Sequence, residues 1–270
     1  MRKAGLYLLL GIAAATFIYP FLWMAATTLK PVAEVGTLSL FPDEPTFENY
    51  LRMWARAPVG RALLNSLVVA SVNTLSVLVL GSVAAYALAR LSFPGRGLVL
   101  GTSVAALLVP GQLTLIPAYA LMVRLGWVDT YAALIVPYLF NVTAVLILRQ
   151  FFLQVPRSLL DAARLDGMGE LRIVFTVFWP LARPALATVA IFVFMGSWNE
   201  VLWPLLVIRQ EPLMTLPQLL TVFRLGGGAG PSGLAVQLAA AMVLVVPVLA
   251  AYVFLQRFFI ESMASSGTKG

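Results

Sequence analysis

The segment Val155–Pro184 has an unusual density of charged and small residues. Its sequence, VPRSLLDAARLDGMGELRIVFTVFWPLARP, holds four basic residues, three acidic residues and two glycines. Its carboxylates, among them Asp161 and Asp166, are the groups here that could transfer protons or bind a metal. The chain contains no histidine and no cysteine, however. Imidazole bases, histidine-ligated metals, Ser-His pairs and thiolate nucleophiles are therefore excluded.

The composition places this segment in a membrane protein. Of the 270 residues, 61% are hydrophobic and only 11% are charged, whereas a soluble domain carries about 25% charged residues. A membrane-spanning helix needs about 20 predominantly apolar residues. The sequence predicts an all-α protein that forms a single transmembrane domain over 1–270, with six spans at 6–28, 63–89, 98–122, 131–150, 185–208 and 234–256. The uncharged N-terminal run is longer than a signal-peptide core, so we interpret it as the first span.

The loops predict the orientation and explain the net charge of +7. With the N-terminus inside, eleven basic residues fall on the cytoplasmic side and seven on the external side. This bias predicts a multi-pass membrane protein with both termini inside; the resemblance described below implies that the membrane is a bacterial-type inner membrane. The basic excess is then a topology signal, and no nucleic-acid partner is expected. The main loops are an external one at about 30–61 and a cytoplasmic one at about 151–184. The run LGGGAGPSG at 225–233 predicts a further external turn.

Polar residues inside the predicted spans are candidates for a translocation path. Asn65 and Asn73 in the second span either hold helices together or line the path. In SWNEVLWP, Glu200 is the only acidic residue well inside a span, where a carboxylate costs about 2.5–3.5 kcal/mol. It either lies at the outer interface between tryptophans, or it contacts the path or a partner together with Trp198 and Asn199.

Within the cytoplasmic loop, the pattern predicts two short helices joined by a turn. Ser158 and Asp161 form an S-x-x-D start after a proline. Leu159, Ala162, Ala163 and Asp166 share one helical face, and Gly167 is expected to end the helix. A second helix is predicted to begin near Glu170. The pattern alone also fits a solvated amphipathic linker.

The residues of this loop resemble the EAA loop of ABC-importer permeases. Asp161-Ala162-Ala163, Asp166-Gly167 and Pro180-Leu181-x-x-Pro184 match that motif in order and spacing, with Asp161 at the position of the usual glutamate. The segments 82–96, 110–138, 197–208, 216–220 and 256–270 also resemble the carbohydrate-uptake type, specifically the second membrane subunit of maltose-type importers.

The resemblance implies a permease that forms half of a pore for a sugar or related solute and works by alternating access. It implies a second homologous permease subunit, two ATPase subunits and an extracytoplasmic solute-binding protein, in contact with membrane lipid. The EAA loop would dock on the ATPase, and the tail residues Gly267, Thr268 and Lys269 would reach toward it.

The chain has no G-x-x-x-x-G-K-[ST] sequence, so ATP and Mg are expected on the partner ATPase and no cofactor or metal on this chain. We expect a non-catalytic subunit. The alternative is a self-sufficient secondary transporter or channel, which usually shows inverted repeats or several buried ionisable residues; neither is apparent here.

Overall fold

The described residues form helices and no β-strand, in agreement with the predicted all-α class. The computed structural model describes residues 2–37, 39–225 and 230–266. The α-helices are α1 (Arg2–Thr28), α2 (Glu48–Arg56), α3 (Val59–Arg90), α4 (Arg96–Ala106), α5 (Gly111–Arg124), α6 (Tyr131–Ile135), α7 (Val142–Phe152), α8 (Arg157–Leu165), α9 (Glu170–Ile173), α10 (Trp179–Leu181), α11 (Arg183–Trp198), α12 (Leu202–Val207), α13 (Leu216–Leu225) and α14 (Pro231–Ser266). A π-helical turn, Val174–Phe178, joins α9 to α10.

Among these residues, four segments are long and apolar enough to cross a membrane without a sharp bend. They are Gly5–Thr28, Val59–Arg90, Tyr131–Phe152 and Gly233–Ala250. Two further pairs of helices, Arg96–Ala106 with Gly111–Arg124 and Glu170–Leu181 with Arg183–Trp198, qualify only if each bent pair is counted as one span. The structure therefore has between four and six candidate spans.

Three predicted spans, 98–122, 131–150 and 185–208, are not continuous helices. Prolines explain the breaks in the first and the third of them. A proline ring collides with the carbonyl four residues earlier, and it lacks the N–H that would bond there. Pro110 lies four residues after Ala106, the last residue of α4, and α4 and α5 meet at 100°. Pro204 lies four residues after Glu200, which is in the gap between α11 and α12. The single helices predicted over 98–122 and 185–208 are thus wrong in detail, and so is the one over 131–150, which is divided between α6 and α7.

The predicted external turn at 225–233 is shorter in the structure. Helix α13 continues to Leu225 and α14 already begins at Pro231. Proline is well tolerated at the first position of a helix, because its missing N–H would have no partner there. Within this stretch, Gly230 has φ +112°, a conformation that favours glycine.

The residues group into two compact units. The first unit comprises Met1–Leu63 and Thr215–Leu249. In it, the side chain of Asn49 donates to the carbonyls of Thr28 (2.9 Å) and Lys30 (2.8 Å), which fixes the chain as it leaves α1. Lys30 is fully buried, and its Nζ donates to the carbonyl of Ser39 (2.6 Å). Apolar side chains along α1 are exposed, as expected for a surface that meets lipid.

The second unit comprises Leu64–Met214 and Ala250–Gly270 and contains the predicted cytoplasmic loop. Its apolar core is built from the second half of α3, from α7, and from the segment that runs from α8 to α11. The helices of the loop therefore pack on the same core as the long apolar helices. This shared core is what positions the loop residues described next.

Candidate functional site: the loop helices and the polar residues of the spans

Helix α8 carries the matched motif, and it begins two residues earlier than a cap at Ser158 would place it. Arg157 is its first residue, Pro156 is the N-cap, and no side chain caps the helix. The capping role predicted for Ser158 and Asp161 is therefore wrong. Pro156 has a non-helical ψ of 136°, and the helix begins at the next residue.

Gly167 ends α8, as predicted. Its φ is +78°, in the left-handed region where glycine is favoured. The N–H of Gly167 donates to the carbonyl of Arg164 (3.0 Å), and the N–H of Met168 donates to the carbonyl of Ala163 (3.0 Å). These two bonds form a Schellman motif, which satisfies the last carbonyls of the helix.

The predicted face of α8 is divided between the interior and the surface. Ala163 is only 5% exposed and belongs, with Leu160, to the core of the second unit. The other side of the helix is exposed, and its apolar residue Leu165 is 89% exposed. That exposed side comprises Ser158, Leu159, Asp161, Ala162, Leu165 and Asp166. We call it the α8 face. The small side chain of Ala163 thus serves packing within this chain.

Glu170 links α8 to α3. Its Oε1 accepts from Nε of Arg164 (2.9 Å), and its Oε2 accepts from the hydroxyl of Tyr86, near the C-terminal end of α3. Burial alone would raise the pKa of Glu170, but these two donors and the positive charge of Arg164 outweigh it. The pKa of Glu170 is therefore below its ordinary value. The lowered pKa favours the ionised carboxylate, which accepts from both donors.

Arg90, the last residue of α3, holds the end of α7. Its Nε and Nη2 both donate to the carbonyl of Phe152, at 3.0 and 2.6 Å, and Nη2 also donates to the carbonyl of Val155. Lysine could not make this forked contact, because its ammonium lacks the planar geometry. Nothing in the local sequence predicted the contact, since its partners are backbone atoms more than 60 residues away.

Phe178 fills the space between these elements. Its ring packs edge-on against Tyr86 and Phe152, with centroid distances of 5.0 Å in both cases. The guanidinium of Arg90 lies 5.9 Å from the centroid of the same ring. Nothing in the local sequence indicated that Phe178 joins α3 to α7.

The two prolines of the motif lie where the chain turns. Pro180 is in α10 and Pro184 is in the first turn of α11. The helical segments on the two sides of this turn meet at 92°. Just before it, Nε1 of Trp179 donates to Oγ of Ser82 on α3 (3.0 Å). The loop therefore has a second side-chain bond to α3.

Asn65 and Asn73 are both buried and bonded within the second unit. The amide of Asn65 donates to the carbonyls of Pro212 (2.9 Å) and Met214 (2.8 Å), and its carbonyl accepts from the Tyr131 hydroxyl (2.6 Å). Nδ2 of Asn73 donates to Oγ of Ser197 (3.1 Å), whereas its Oδ1 has no hydrogen-bond partner among the described residues. Both side chains hold distant parts of the chain together.

The three remaining predicted pathway residues differ in exposure. Trp198 is buried and stacks on Phe194, with ring centroids 5.7 Å apart. Asn199 is exposed, just after the end of α11, and its side chain donates to the carbonyl of Met195 in that helix. Glu200 is half-buried, in the gap between α11 and α12. Trp198 is therefore part of the packed end of α11, whereas Glu200 lies beyond that helix and is partly accessible.

Glu200 lines a cavity of about 420 Å³ within the second unit. The start of α5 forms one wall, and the segments around Tyr138 and Trp203 form the others. The lining residues are Gly111, Gln112, Thr114, Leu115, Ala118, Pro137, Tyr138, Glu200, Leu202 and Trp203. This volume falls within the range of about 300–1,000 Å³ typical of small-molecule sites.

No group of three or more acidic residues that could hold a metal occurs in the part of the chain that the structure describes. The tail residues Gly267, Thr268 and Lys269 lie outside the described residues. Their predicted contact with an ATPase stays a prediction.

Comparison with known proteins gives a consistent result over nearly the whole chain. A family model described as binding-protein-dependent transport system inner membrane component matches residues 77–263. The arabinooligosaccharides transport system permease protein AraQ of Halalkalibacterium halodurans is 33% identical, over 97% of this chain and 96% of that protein. The diacetylchitobiose uptake system permease protein NgcG of Streptomyces coelicolor is 34% identical, over 96% of this chain and 86% of that protein.

A relative with a different cargo in its name matches equally broadly. The sn-glycerol-3-phosphate transport system permease protein UgpE of Escherichia coli O157:H7 is 30% identical, over 96% of this chain and 94% of that protein. Among solved structures, a bacterial ABC transporter involved in the import of the acidic polysaccharide alginate has a chain with a TM-score of 0.85. The match covers 96% of this chain and 97% of that one, at 24% identity, and it shows a common fold.

Proposed function

The chain belongs to the family of binding-protein-dependent transport system inner membrane components, and from this premise we propose that it is a sugar-import permease whose α8 face docks on a separate ATPase. Relatives named for arabinooligosaccharides and diacetylchitobiose support a carbohydrate cargo. The chain would form half of the pore, beside a second homologous permease subunit. An extracytoplasmic binding protein would deliver the solute.

The observation that carries the docking proposal is the exposure of Leu165. An apolar side chain that is 89% exposed, on a helix whose opposite side packs on the core, favours burial by a partner. Asp161 and Ala162 flank it on the same exposed side. Burying such a leucine stabilises a complex by about 1.5–3 kcal/mol.

The anchoring of the loop supports a role in coupling. Glu170 is bonded to Tyr86 on α3, and Arg90 on α3 holds the backbone at the end of α7. A force applied to α8 would therefore move α3 and α7 as well, because they share one packed core. ATP and Mg would bind to the ATPase, whose closure would switch the permease between two states.

We further propose six spans with both termini in the cytoplasm. The excess of basic residues on one set of loops supports this orientation. In this arrangement α8 and α9 lie on the cytoplasmic side, where an ATPase could reach them.

Reconstitution of the complete importer tests the proposal. Proteoliposomes with the binding protein should take up a neutral oligosaccharide only when ATP is present on the ATPase side. Uptake without ATP would favour a secondary transporter instead. The affinity of the ATPase for the Leu165→Gln variant should be roughly 10- to 100-fold lower, because the burial energy given above is lost. Co-purification of the two subunits would show this loss.

Leu171→Gln is the matched control, because Leu171 is also an exposed leucine but lies on α9. Its ATPase affinity should stay near the wild-type value. Equal recovery of the ATPase with wild type and Leu165→Gln would contradict docking through the α8 face.

A further inference from the structure

The cavity beside Glu200 has the chemistry of a selective solute site. Glu200 is the only acidic or basic residue among those lining it. Gln112, Thr114 and Tyr138 contribute an amide, two hydroxyls and an aromatic ring to the lining. The rest of the lining is Trp203, aliphatic residues and a glycine. Small-molecule sites combine a mostly apolar wall with a few polar groups in this way.

We propose that this cavity receives a neutral, hydroxyl-rich solute and that Glu200 discriminates against anionic ones; the solute class rests on the proposed function. A carboxylate accepts hydrogen bonds from hydroxyl groups, and the amide of Gln112 can both donate and accept. An aromatic ring offers an apolar surface to the C–H face of a sugar. A phosphate or carboxylate in the same cavity would be repelled by the charge of Glu200.

The family alone does not determine this property. One relative is named for sn-glycerol 3-phosphate, an anion, and another for arabinooligosaccharides, which are neutral. The charge of the cavity therefore bears on which class of cargo this chain accepts.

Glu200 also has a structural role, and the substitution Glu200→Gln separates that role from its charge. Its Oε1 accepts from the N–H of Trp203 (3.2 Å), at the start of α12. In Glu200→Gln the amide carbonyl can still accept this bond, while the charge is removed. The indole N–H of Trp203 is already bonded to the carbonyl of Ala133 (2.7 Å), so the wall keeps its position.

The absence of native cysteine allows a direct test of the cavity's charge. We would place a single thiol in the lining as Thr114→Cys, in the complete importer in nanodiscs. Two thiol reagents of similar size would be compared: the cationic trimethylammonium-ethyl and the anionic sulfonato-ethyl methanethiosulfonates. Their rates would be measured by mass spectrometry of this chain, and each divided by its rate with a free thiol.

With Glu200 present, the cationic reagent should react roughly tenfold faster than the anionic one after this correction. Adding Glu200→Gln should bring the ratio close to one. Any effect of Glu200 on ionisation of the thiol cancels, because both reagents attack the same thiolate. At Thr176→Cys, outside the cavity, the ratio should not respond to Glu200→Gln. A ratio that is unchanged at position 114, or no reaction there with either reagent, would overturn the proposal.

Uptake measurements separate this inference from the proposed function. At saturating binding protein, Glu200→Gln should slow ATP-driven uptake of a neutral oligosaccharide several-fold, with the ATPase still bound. If wild-type uptake is normal and Glu200→Gln takes up the oligosaccharide at the same rate, the inference about the cavity is wrong and the proposed function still stands. Failure of the wild-type importer to use ATP would defeat the proposed function, whatever the labelling ratio.

Discussion

The hydroxyl of Tyr86 donates a hydrogen bond to the carboxylate of Glu170, 84 residues later in the chain. Tyr86 lies near the end of a long apolar helix, and Glu170 is the first residue of α9 in the loop. The bond joins a candidate membrane span to the loop that carries the α8 face. Since Arg164 of α8 holds the other oxygen of Glu170, α8 and α3 are linked through one carboxylate.

Replacing Tyr86 with phenylalanine should weaken this link and leave the packing intact. The ring can still contact Phe178 edge-on, because only the hydroxyl is lost. We expect a loss of about 1 kcal/mol in the free energy of unfolding, since part of Glu170 remains hydrated and bonded to Arg164. The ATPase should still bind, but the ratio of solute transported to ATP hydrolysed should fall. Tyr7→Phe, at an exposed position on α1, is the control; an equal effect there would remove the specific role of Tyr86.

The same carboxylate predicts a dependence on pH. The folded protein lowers the pKa of Glu170, so its ionised form contributes stability. This contribution is complete above the unfolded value of about 4.3 and is lost as the pH falls through the lower folded value. Thermal unfolding in nanodiscs at pH 3 to 6 should show a smaller acid loss of Tm for Glu170→Gln than for wild type. Identical profiles would mean that Glu170 has no share in the acid loss.

The position of the loop could be predicted from the sequence, whereas its attachment could not. Charge, glycine and proline are local signals, and Gly167 ends α8 where the pattern placed the end. The bonds of Arg90 to Phe152 and of Trp179 to Ser82 join residues that lie far apart in the chain. Such pairings follow from how the helices pack, and no spacing along the chain encodes them.

The helix breaks were missed for a related reason. Membrane helices often tolerate proline with a kink, so Pro110 and Pro204 were compatible with continuous spans. In the structure the chain is not helical at Glu200, four residues before Pro204. This break gives Glu200 its place in the wall of the cavity, which hydropathy alone could not indicate.

Neighbouring alanines of α8 should respond differently to the same substitution. Ala163 is buried in the core, so Ala163→Leu should overpack it and reduce the stability of the isolated subunit by about 1–3 kcal/mol. Ala162 is exposed, so Ala162→Leu should leave Tm unchanged while weakening ATPase binding by holding the partner surface away. Tm and ATPase affinity would be measured for both variants. Equal losses of Tm would contradict the division of the helix into a buried and an exposed side.

Gly167 and Gly169 form a matched pair for testing the turn after α8. Neither has a heavy atom within 4 Å of the position of an added Cβ, so steric crowding is equal. Gly167 has φ +78°, whereas Gly169 has φ −71°. Gly167→Ala should therefore cost about 1–2 kcal/mol of stability and impair ATPase coupling, and Gly169→Ala should change little. Comparable Tm values for the two variants would show that the left-handed turn is unimportant.

Replacing Asn65 with leucine should strongly reduce stability, because the hydrogen-bond partners of Asn65 would stay buried without a partner. Asn65→Leu removes the donors to the carbonyls of Pro212 and Met214 and the acceptor for the Tyr131 hydroxyl. Each buried polar group left without a partner costs about 1–3 kcal/mol, so the loss should exceed that of any surface variant. Asn199→Leu is the control, because Asn199 is exposed and its side chain makes one bond, to the end of α11. Unfolding in nanodiscs should show a much lower Tm for Asn65→Leu than for Asn199→Leu. If the Tm of Asn65→Leu were unchanged but uptake fell, Asn65 would contact the solute instead of holding the helices together.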